Sequence, residues 1–231
     1  MKHIKIIIIV TIIVLTSICL LFINSGYQMY KKAIKEVGLT EKVAQIKEKE
    51  NYTKLSEMPE IYLDAVIAVE DHRFYNHNGI DIISIGRAAF NDIRTMSFIE
   101  GGSTITQQLS KNVYFTQEKK IERKIAEVFM AFSFERHYAK NEILELYLNT
   151  TYFGNGYYTV KEASRGYFDK EPKKMTYGEA IMLAGIPNAP SVYNPKVNLK
   201  LAKQRRNQVI KKMVKYKKLT QERANEIMAE N

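Results

Sequence analysis

Two carboxylates and the polar stretch between them carry the chemistry that this sequence can support. Glu70 and Glu127 lie on either side of "GGSTITQQLSKN", residues 101–112. Hydroxyl and amide side chains bind the hydroxyl groups of sugars, and lysine or arginine compensates the charge of a phosphate. A carboxylate such as Glu70 can act as a general base. The combination indicates a site for a phosphorylated sugar.

The elements around these residues are predicted to be helices. Glu70 ends a segment whose apolar residues recur at helical spacing, and Pro59 suits its first helical position. These apolar residues are Ile61, Ala65, Val66 and Val69. A carboxylate at the partially negative end of a helix is more ready to accept a proton.

A second helix is predicted for "EKKIERKIAEVFMAFSFERHY", which carries Glu127. Arg123 lies four residues before Glu127, on a face apart from the apolar stripe. The stripe consists of Ile121, Ile125, Val128, Phe129 and Phe132. Segments 140–149, 176–186 and 198–229 also predict helices, and alternating strand patterns are short and rare. The predicted fold class is therefore mainly α.

The composition excludes several classes of protein. The chain has 231 residues, of which 45% are hydrophobic, which is enough to bury a sizeable core and argues against a disordered or fibrous protein. A formal net charge of +10 favours an anionic partner: nucleic acid, anionic lipid or a phosphorylated substrate. The single cysteine, Cys19, excludes an intramolecular disulfide and a cysteine-built metal site.

The N-terminal segment predicts a membrane anchor. Ile6 to Ile23 is a run of 18 residues without a charge, long enough to cross a bilayer and longer than most signal-peptide cores. We therefore predict an anchor at 1–30, a charged stalk or linker at 31–56 and one folded domain at 57–231. Lysines flank both ends of the anchor, so the flanking charges do not decide its orientation.

Four segments resemble, in order and spacing, the motifs of the peptidoglycan glycosyltransferases, glycosyltransferase family 51. They are "AVEDHRFYNHNGID" (68–81), "GGSTITQQLSKN" (101–112), "RKIAE" (123–127) and "KNEILELYLNTTYFGNG" (140–156). "RRNQVI" (205–210) resembles the last motif of the family. The resemblance covers roughly residues 60–215.

The resemblance implies a reaction on lipid II, the lipid-linked disaccharide precursor. The sugar hydroxyl of the acceptor attacks the anomeric carbon of the donor, and undecaprenyl diphosphate leaves with inversion. The two substrates are lipid II and the growing lipid-linked glycan strand. Glu70 would be the base. Glu127 would organise the donor side, either by orienting lysine and arginine or by holding Mg²⁺ or Mn²⁺ against the diphosphate, and no tightly bound cofactor is implied.

The resemblance also assigns roles to other residues. Lys111 and Arg123, with Lys124 beside them, would stabilise the departing diphosphate, which moenomycin mimics in this family. Four side chains would line the donor pocket: Ser103, Thr104, Gln107 and Gln108. Nine residues would shape the site: Asp71, Phe74, His77, Gly79, Gly101, Gly102, Asn112, Asn149 and Arg205. Tyr147, in the fourth motif, is expected to serve core packing.

The implied architecture is a lysozyme-like lobe with a small jaw lobe, drawn from residues around 78–100 and 112–122. The domain would face outward from the cell membrane on a single-pass helix with a cytoplasmic N-terminus, resting on anionic lipid. Other cell-wall synthases are candidate partners. Neither a Ser-x-x-Lys nor a Lys-Thr-Gly motif occurs in the 231 residues, so no transpeptidase activity is expected.

Two alternatives belong to other classes. A lytic enzyme would cleave finished glycan with a protonated carboxylic acid, but it has no diphosphate for Lys111 and Arg123 to neutralise. A non-enzymatic basic module would bind an anionic polymer through residues 196–223, which contain eleven Lys or Arg and one Glu. A nucleic-acid partner is not predicted by the motifs.

Overall fold

The computed structural model describes residues 2–87, 102–116, 118 and 120–229. This part of the chain contains helices and turns and no β-strand, which confirms the predicted mainly α class. Its α-helices include α1 (Lys2–Glu36), α2 (Leu39–Lys47), α3 (Glu60–Glu70), α4 (Ile105–Tyr114), α5 (Ile121–His137), α6 (Lys140–Leu148), α7 (Val160–Phe168), α8 (Tyr177–Gly185), α9 (Leu199–Lys215) and α10 (Gln221–Ala229). Short 3₁₀ turns lie at Leu55–Glu57, Phe74–Asn76, Pro172–Lys174 and Ile186–Asn188.

The core forms where α3 packs against α8 and α9. Six of the eleven residues of α3 are buried, including the predicted Ala65, Val66 and Val69, because the helix is covered on more than one side. The helix begins at Glu60 with Pro59 as its N-cap, one residue later than expected. Glu70 is the last residue of α3, as the apolar spacing predicts.

Helix α8 is more buried than α3, with seven of its nine residues buried. Its start is fixed by a capping box, in which the Thr176 hydroxyl accepts from the Glu179 amide and the Glu179 carboxylate accepts from the Thr176 amide at 2.8 Å. The bounds of α6 and α8 agree closely with the predicted segments 140–149 and 176–186.

The apolar stripe predicted on α5 is not the face that enters the core. The buried residues of this helix are Ala126, Glu127, Met130, Ala131 and Phe134. Ile121 and Phe132, predicted on the stripe, are 61% and 44% exposed. The predicted stripe faces a different neighbour.

That neighbour is the C-terminal half of α1. Tyr27 and Tyr30 lie with their ring centroids 5.2 and 6.0 Å from the Phe129 ring of α5. The Tyr30 hydroxyl and the Ser133 hydroxyl are hydrogen-bonded at 2.8 Å. The long N-terminal helix is therefore packed onto the helix that carries Glu127.

The N-terminal half of α1 has no such cover. The span His3–Glu36 is long and apolar enough to cross a membrane, with a mean hydropathy of 3.3 in its most apolar window, none of which is buried. This agrees with the predicted membrane anchor. The helix continues past residue 30, and α2, within the predicted stalk, packs on α6 through residues such as Val43 and Ile46. The boundaries of the three predicted regions stay a prediction.

The segment 198–229 forms two helices, α9 and α10, where the sequence pattern indicated one helical region. The chain turns at Lys217, which has a φ of +58°. The Lys218 amide donates to the Met213 carbonyl at 2.8 Å and the Lys217 amide to the Val214 carbonyl at 3.0 Å. This is a Schellman turn, and it ends α9 without a glycine. Residues 88–100 of the predicted jaw lie outside the described residues, and the jaw lobe stays a prediction.

Candidate active site

Glu70 is held by a chain of two hydrogen bonds. Its Oε2 accepts from the Gln108 Nε2 of α4 at 2.9 Å. The Oε1 of the same amide accepts from the Tyr147 hydroxyl of α6 at 3.2 Å. Burial, with a smaller contribution from the charge of Glu70, raises the pKa of Tyr147 well above its usual range, so the phenol stays a donor. Tyr147 thereby fixes which end of the Gln108 amide faces Glu70.

The turn after Glu70 is clamped to the start of α4. The buried Asp71 accepts from His77 Nε2 at 2.9 Å and from the Ile105 amide at 3.0 Å with the same oxygen, Oδ2. The Thr104 hydroxyl donates to the Gly79 carbonyl at 2.7 Å. Gly79 has a φ of +91°, in the left-handed region that favours glycine. These contacts set α3 and α4 in register, so that Gln108 reaches Glu70.

The start of α4 is a capping box. The Thr104 hydroxyl accepts from the Gln107 amide at 3.1 Å, and the Gln107 Oε1 accepts from the Thr104 amide at 3.0 Å. Both side chains are nearly inaccessible, at 2% and 3% exposure. The structure thus uses these two predicted donor-pocket residues to build the helix start, whereas Ser103 and Gln108 are half-buried and contact charged groups.

Glu127 forms the centre of a cationic cluster on α5. Its side chain is 1% exposed, and its two oxygens accept from Arg123 and, at 2.8 Å, from Lys124. The spacing of three and four residues places these cations on the same helical face as Glu127. Lys124 also donates to the Ser103 hydroxyl at 2.7 Å. Lys124 therefore bridges the polar stretch and the second carboxylate.

Lys111 connects this cluster with Glu70. Burial lowers the pKa of Lys111, and the charges of Lys124 and Arg123 lower it further, while Glu127 and Glu70 act in the opposite direction. The charges of both carboxylates therefore act on Lys111. Lys111, Arg123 and Lys124 face the single carboxylate of Glu127 on this side, which leaves an excess of positive charge. An anion such as a diphosphate would stabilise that arrangement.

The same geometry bears on the divalent cation suggested for Glu127. Both oxygens of Glu127 are occupied by Arg123 and Lys124. Across residues 2–87, 102–116, 118 and 120–229, no group of three His, Cys, Asp or Glu side chains could hold a metal ion. Glu127 thus offers no free oxygen to a cation here, the divalent cation stays a prediction, and we derive no step through one.

Several predicted site-shaping residues have other surroundings. Phe74 is fully buried, with the Lys140 ammonium 4.5 Å from its ring centroid. Asn149 binds both the amide and the carbonyl of Thr53 at 2.8 Å. The Arg205 Nε donates to the Gly185 carbonyl at 3.2 Å. These three residues join elements of the domain away from the two carboxylates.

The remaining predicted residues are placed as follows. Asn112 lines a separate pocket with residues of α2. Gly102 is half-buried just before Ser103. Gly101 lies outside the described residues, so its predicted role is left as a prediction.

Two residues near Glu70 were not found from the sequence as parts of the site. Tyr147 was expected to serve packing alone, and its spacing in "ELYLN" carries no signal of a hydrogen bond to Gln108. The Lys212 Nζ donates to the Val69 carbonyl at 3.2 Å, at the C-terminal end of α3. Lys212 was visible only as one member of the basic run at 196–223.

The chain is similar to proteins of one known family. Residues 38–214 match the family described as Transglycosylase. Penicillin-binding protein 1F of Bacillus subtilis (strain 168) is 48% identical over 156 residues, which cover 68% of this chain and 22% of that protein. Penicillin-binding protein 1A of Vibrio cholerae serotype O1 is 46% identical over 179 residues, 77% of this chain and 22% of that protein.

A crystal structure of penicillin-binding protein 1A from Haemophilus influenzae has a TM-score of 0.48 and 25% identity, over 78% of this chain and 17% of that one. The matched region spans 22% of the length of each of the two curated relatives named above. The family match covers well over half of the chain, and its range contains both carboxylates and all three cations of the site. This chain belongs to the transglycosylase family.

Proposed function

We propose that this chain polymerises lipid II into the glycan strands of peptidoglycan. The observation that carries the proposal is the cationic cluster at Glu127, where Arg123 and Lys124 bind its two oxygens and Lys124 also binds Ser103, in the same polar stretch whose Gln108 binds Glu70. A carboxylate able to take a proton therefore lies near a group of cations able to hold a diphosphate. Family membership, shown by the match over residues 38–214, supports the same reaction.

Glu70 is assigned the role of general base. The hydroxyl of the acceptor sugar loses its proton to the Glu70 carboxylate while its oxygen attacks the anomeric carbon of the donor, with inversion. Gln108 orients the carboxylate through the Oε2 oxygen. The other oxygen, Oε1, accepts no hydrogen bond from the described residues and is assigned the proton.

The cations are assigned to the leaving group. The bond between the anomeric carbon and the diphosphate oxygen breaks, and its electron pair passes to undecaprenyl diphosphate. Lys111, Arg123 and Lys124 stabilise that developing charge. Glu127 holds Arg123 and Lys124 in place, because a buried carboxylate fixes the cations that it binds. In this proposal Glu127 organises the donor side without touching the reacting atoms.

The location follows from the substrate. Lipid II presents its sugars at the outer face of the membrane, so the proposal places the folded domain there, with α1 crossing the bilayer once and the N-terminus in the cytoplasm. The proposal also places the domain against anionic lipid head groups. The 231 residues contain no Ser-x-x-Lys or Lys-Thr-Gly motif, so we assign them glycan polymerisation and no peptide cross-linking.

The test is polymerisation of purified lipid II by the full chain in detergent, with gel separation of the glycan strands. Glu70→Gln removes the base and keeps the size of the side chain. We expect its rate to fall by about 10²–10⁴-fold, the usual contribution of a general base. Glu60→Gln is the matched control, because Glu60 lies exposed at the other end of the same helix.

The outcome separates the proposal from its alternatives. Strand formation by the wild type that moenomycin blocks, together with loss in Glu70→Gln only, supports the proposal. Release of soluble fragments from finished sacculi, with lipid II left intact, would show a lytic enzyme instead. Equal rates for Glu70→Gln and Glu60→Gln would remove Glu70 from the role of base.

A further inference from the structure

A second pocket, of about 210 Å³, lies between α2, the C-terminal half of α4 and the turn that follows α6. Its polar lining consists of Lys42, Gln45, Lys49, Asn112, Thr150 and Tyr158. None of the carboxylates or cations of the candidate active site lines it. The pocket is therefore a separate site, although it shares helices α4 and α6 or their ends with the first one.

The charge of this pocket is positive. Lys42 lies on α2 and Lys49 lies just after its end, and neither forms an ion pair with a described residue. Lys47, on the same helix, is instead paired with Glu142 at 3.5 Å. Two unpaired ammonium groups at the rim of one pocket favour a ligand that carries a carboxylate or a phosphate.

The uncharged lining suits a sugar. The Asn112 amide makes no hydrogen bond with the described residues, so its donors and its acceptor face the pocket unpaired. The Thr150 hydroxyl donates to the Leu146 carbonyl at 2.8 Å, which leaves its oxygen able to accept. Amide and hydroxyl groups of this kind pair with the hydroxyl and acetamido groups of an N-acetylated sugar.

An exposed tyrosine, Tyr158, completes the lining of the pocket. Tyr158 is 58% exposed, and beside it Tyr152 is 42% exposed, with their ring centroids 4.8 Å apart. The Tyr158 amide donates to Glu162 Oε2 at 2.7 Å, so the backbone that carries this ring is fixed. An aromatic face held rigidly beside polar groups offers the apolar side of a sugar ring a packing surface with little loss of conformational entropy.

We propose that this pocket is a second saccharide site, which binds an acidic sugar unit of a glycan. The sugar ring packs on Tyr158, and its carboxylate lies between Lys42 and Lys49. The volume is below the ~300 Å³ at which pockets for drug-sized ligands begin, so the pocket takes one unit of a chain and not a whole substrate. The inference does not depend on the proposed glycosyl transfer.

The test measures binding by calorimetry to the full chain in detergent micelles, with moenomycin present to occupy the first site. The probe is a soluble, lipid-free oligosaccharide of N-acetylated hexosamines with free carboxylates. A second probe is the same oligosaccharide with its carboxylates amidated. A third titration uses lipid II, which distinguishes a lipid-linked source of the sugar from a free glycan.

Two variants remove the proposed contacts. We expect the double variant Lys42→Ala, Lys49→Ala, and separately Tyr158→Ala, to weaken binding of the acidic probe by about tenfold or more. Lys200→Ala and Tyr177→Ala are matched controls, because both residues are exposed and lie on other helices. Circular dichroism of each variant checks the fold, and the lysine variant decides the case if Tyr158→Ala does not fold.

The inference predicts that amidation of the probe weakens wild-type binding as much as the lysine variant does. Binding of lipid II alone, with none of the free oligosaccharide, would overturn it. So would binding that moenomycin abolishes, equal affinity in the pocket variants and the controls, or no binding of any probe.

Discussion

At the scale of single residues, the site depends on Tyr147, which does not touch the substrate in our proposal. The amide of Gln108 has a donor end and an acceptor end, and only the donor end can bind the Glu70 carboxylate. Tyr147 decides the orientation, because its hydroxyl donates to Oε1 at 3.2 Å and so leaves Nε2 toward Glu70. Tyr147 is a positioning residue for the base.

Replacing this tyrosine should affect turnover more than substrate binding. Tyr147→Phe leaves the half-buried Gln108 amide oxygen without this donor, a loss of about 1–2 kcal/mol. We expect kcat for lipid II polymerisation to fall about five- to fiftyfold with little change in KM, since the cations are untouched. Steady-state kinetics on purified protein check this.

The control for Tyr147→Phe is Tyr167→Phe. The Tyr167 hydroxyl also donates a hydrogen bond, to the Phe153 carbonyl at 2.9 Å, but it lies away from Glu70. A merely structural role for Tyr147 would lower the melting temperature of both variants alike and leave kcat unchanged. That result would contradict the positioning role.

At the scale of elements, a helix could be predicted from the sequence where its apolar residues lie on one face or form a continuous run. Helix α3 follows directly from its apolar spacing, and Glu70 lies at its end as expected. The capping residues Thr104 and Thr176 mark the starts of α4 and α8. Local patterns of this kind depend only on neighbours in the chain.

The partner of each face could not be predicted in the same way. On α5 the sequence shows a stripe through Ile125 and Phe129, but not that α1 covers it while Glu127 faces α4. The hydrogen bond from the Ile105 amide to Asp71 likewise joins residues 34 positions apart. Contacts between distant parts of the chain leave no periodic signal.

The close packing of α1 on α5 can be tested at Gly26. A Cβ on Gly26 would lie 2.6 Å from Ile125 and 2.8 Å from the Glu122 carbonyl oxygen. We expect Gly26→Ala to destabilise the packing of α1 by about 1–3 kcal/mol, as overpacking does. Thermal unfolding of the full chain in detergent measures the effect.

Gly38→Ala is the matched control, because a Cβ at Gly38 has no heavy atom within 4 Å. We expect this variant to stay within about 0.5 kcal/mol of the wild type. An unchanged melting temperature in Gly26→Ala would show that α1 does not pack closely on α5 in solution.

At the scale of the whole molecule, the anchor and the proposed donor site are one continuous structure. Helix α1 leads from the span able to cross a bilayer directly onto α5, which carries Arg123, Lys124 and Glu127. The distance of the cations from the membrane is therefore set by packed helices. This arrangement suits a substrate whose diphosphate lies at the lipid surface.

The most direct test of the central claim is the affinity of moenomycin for Lys111→Ala compared with the wild type, with Glu70→Gln and Lys200→Ala alongside. Loss of one charge-assisted contact of about 1.5–3 kcal/mol predicts that Lys111→Ala binds about 10- to 150-fold more weakly, while the other two variants bind like the wild type. Unchanged affinity in Lys111→Ala would contradict a diphosphate site at this cluster.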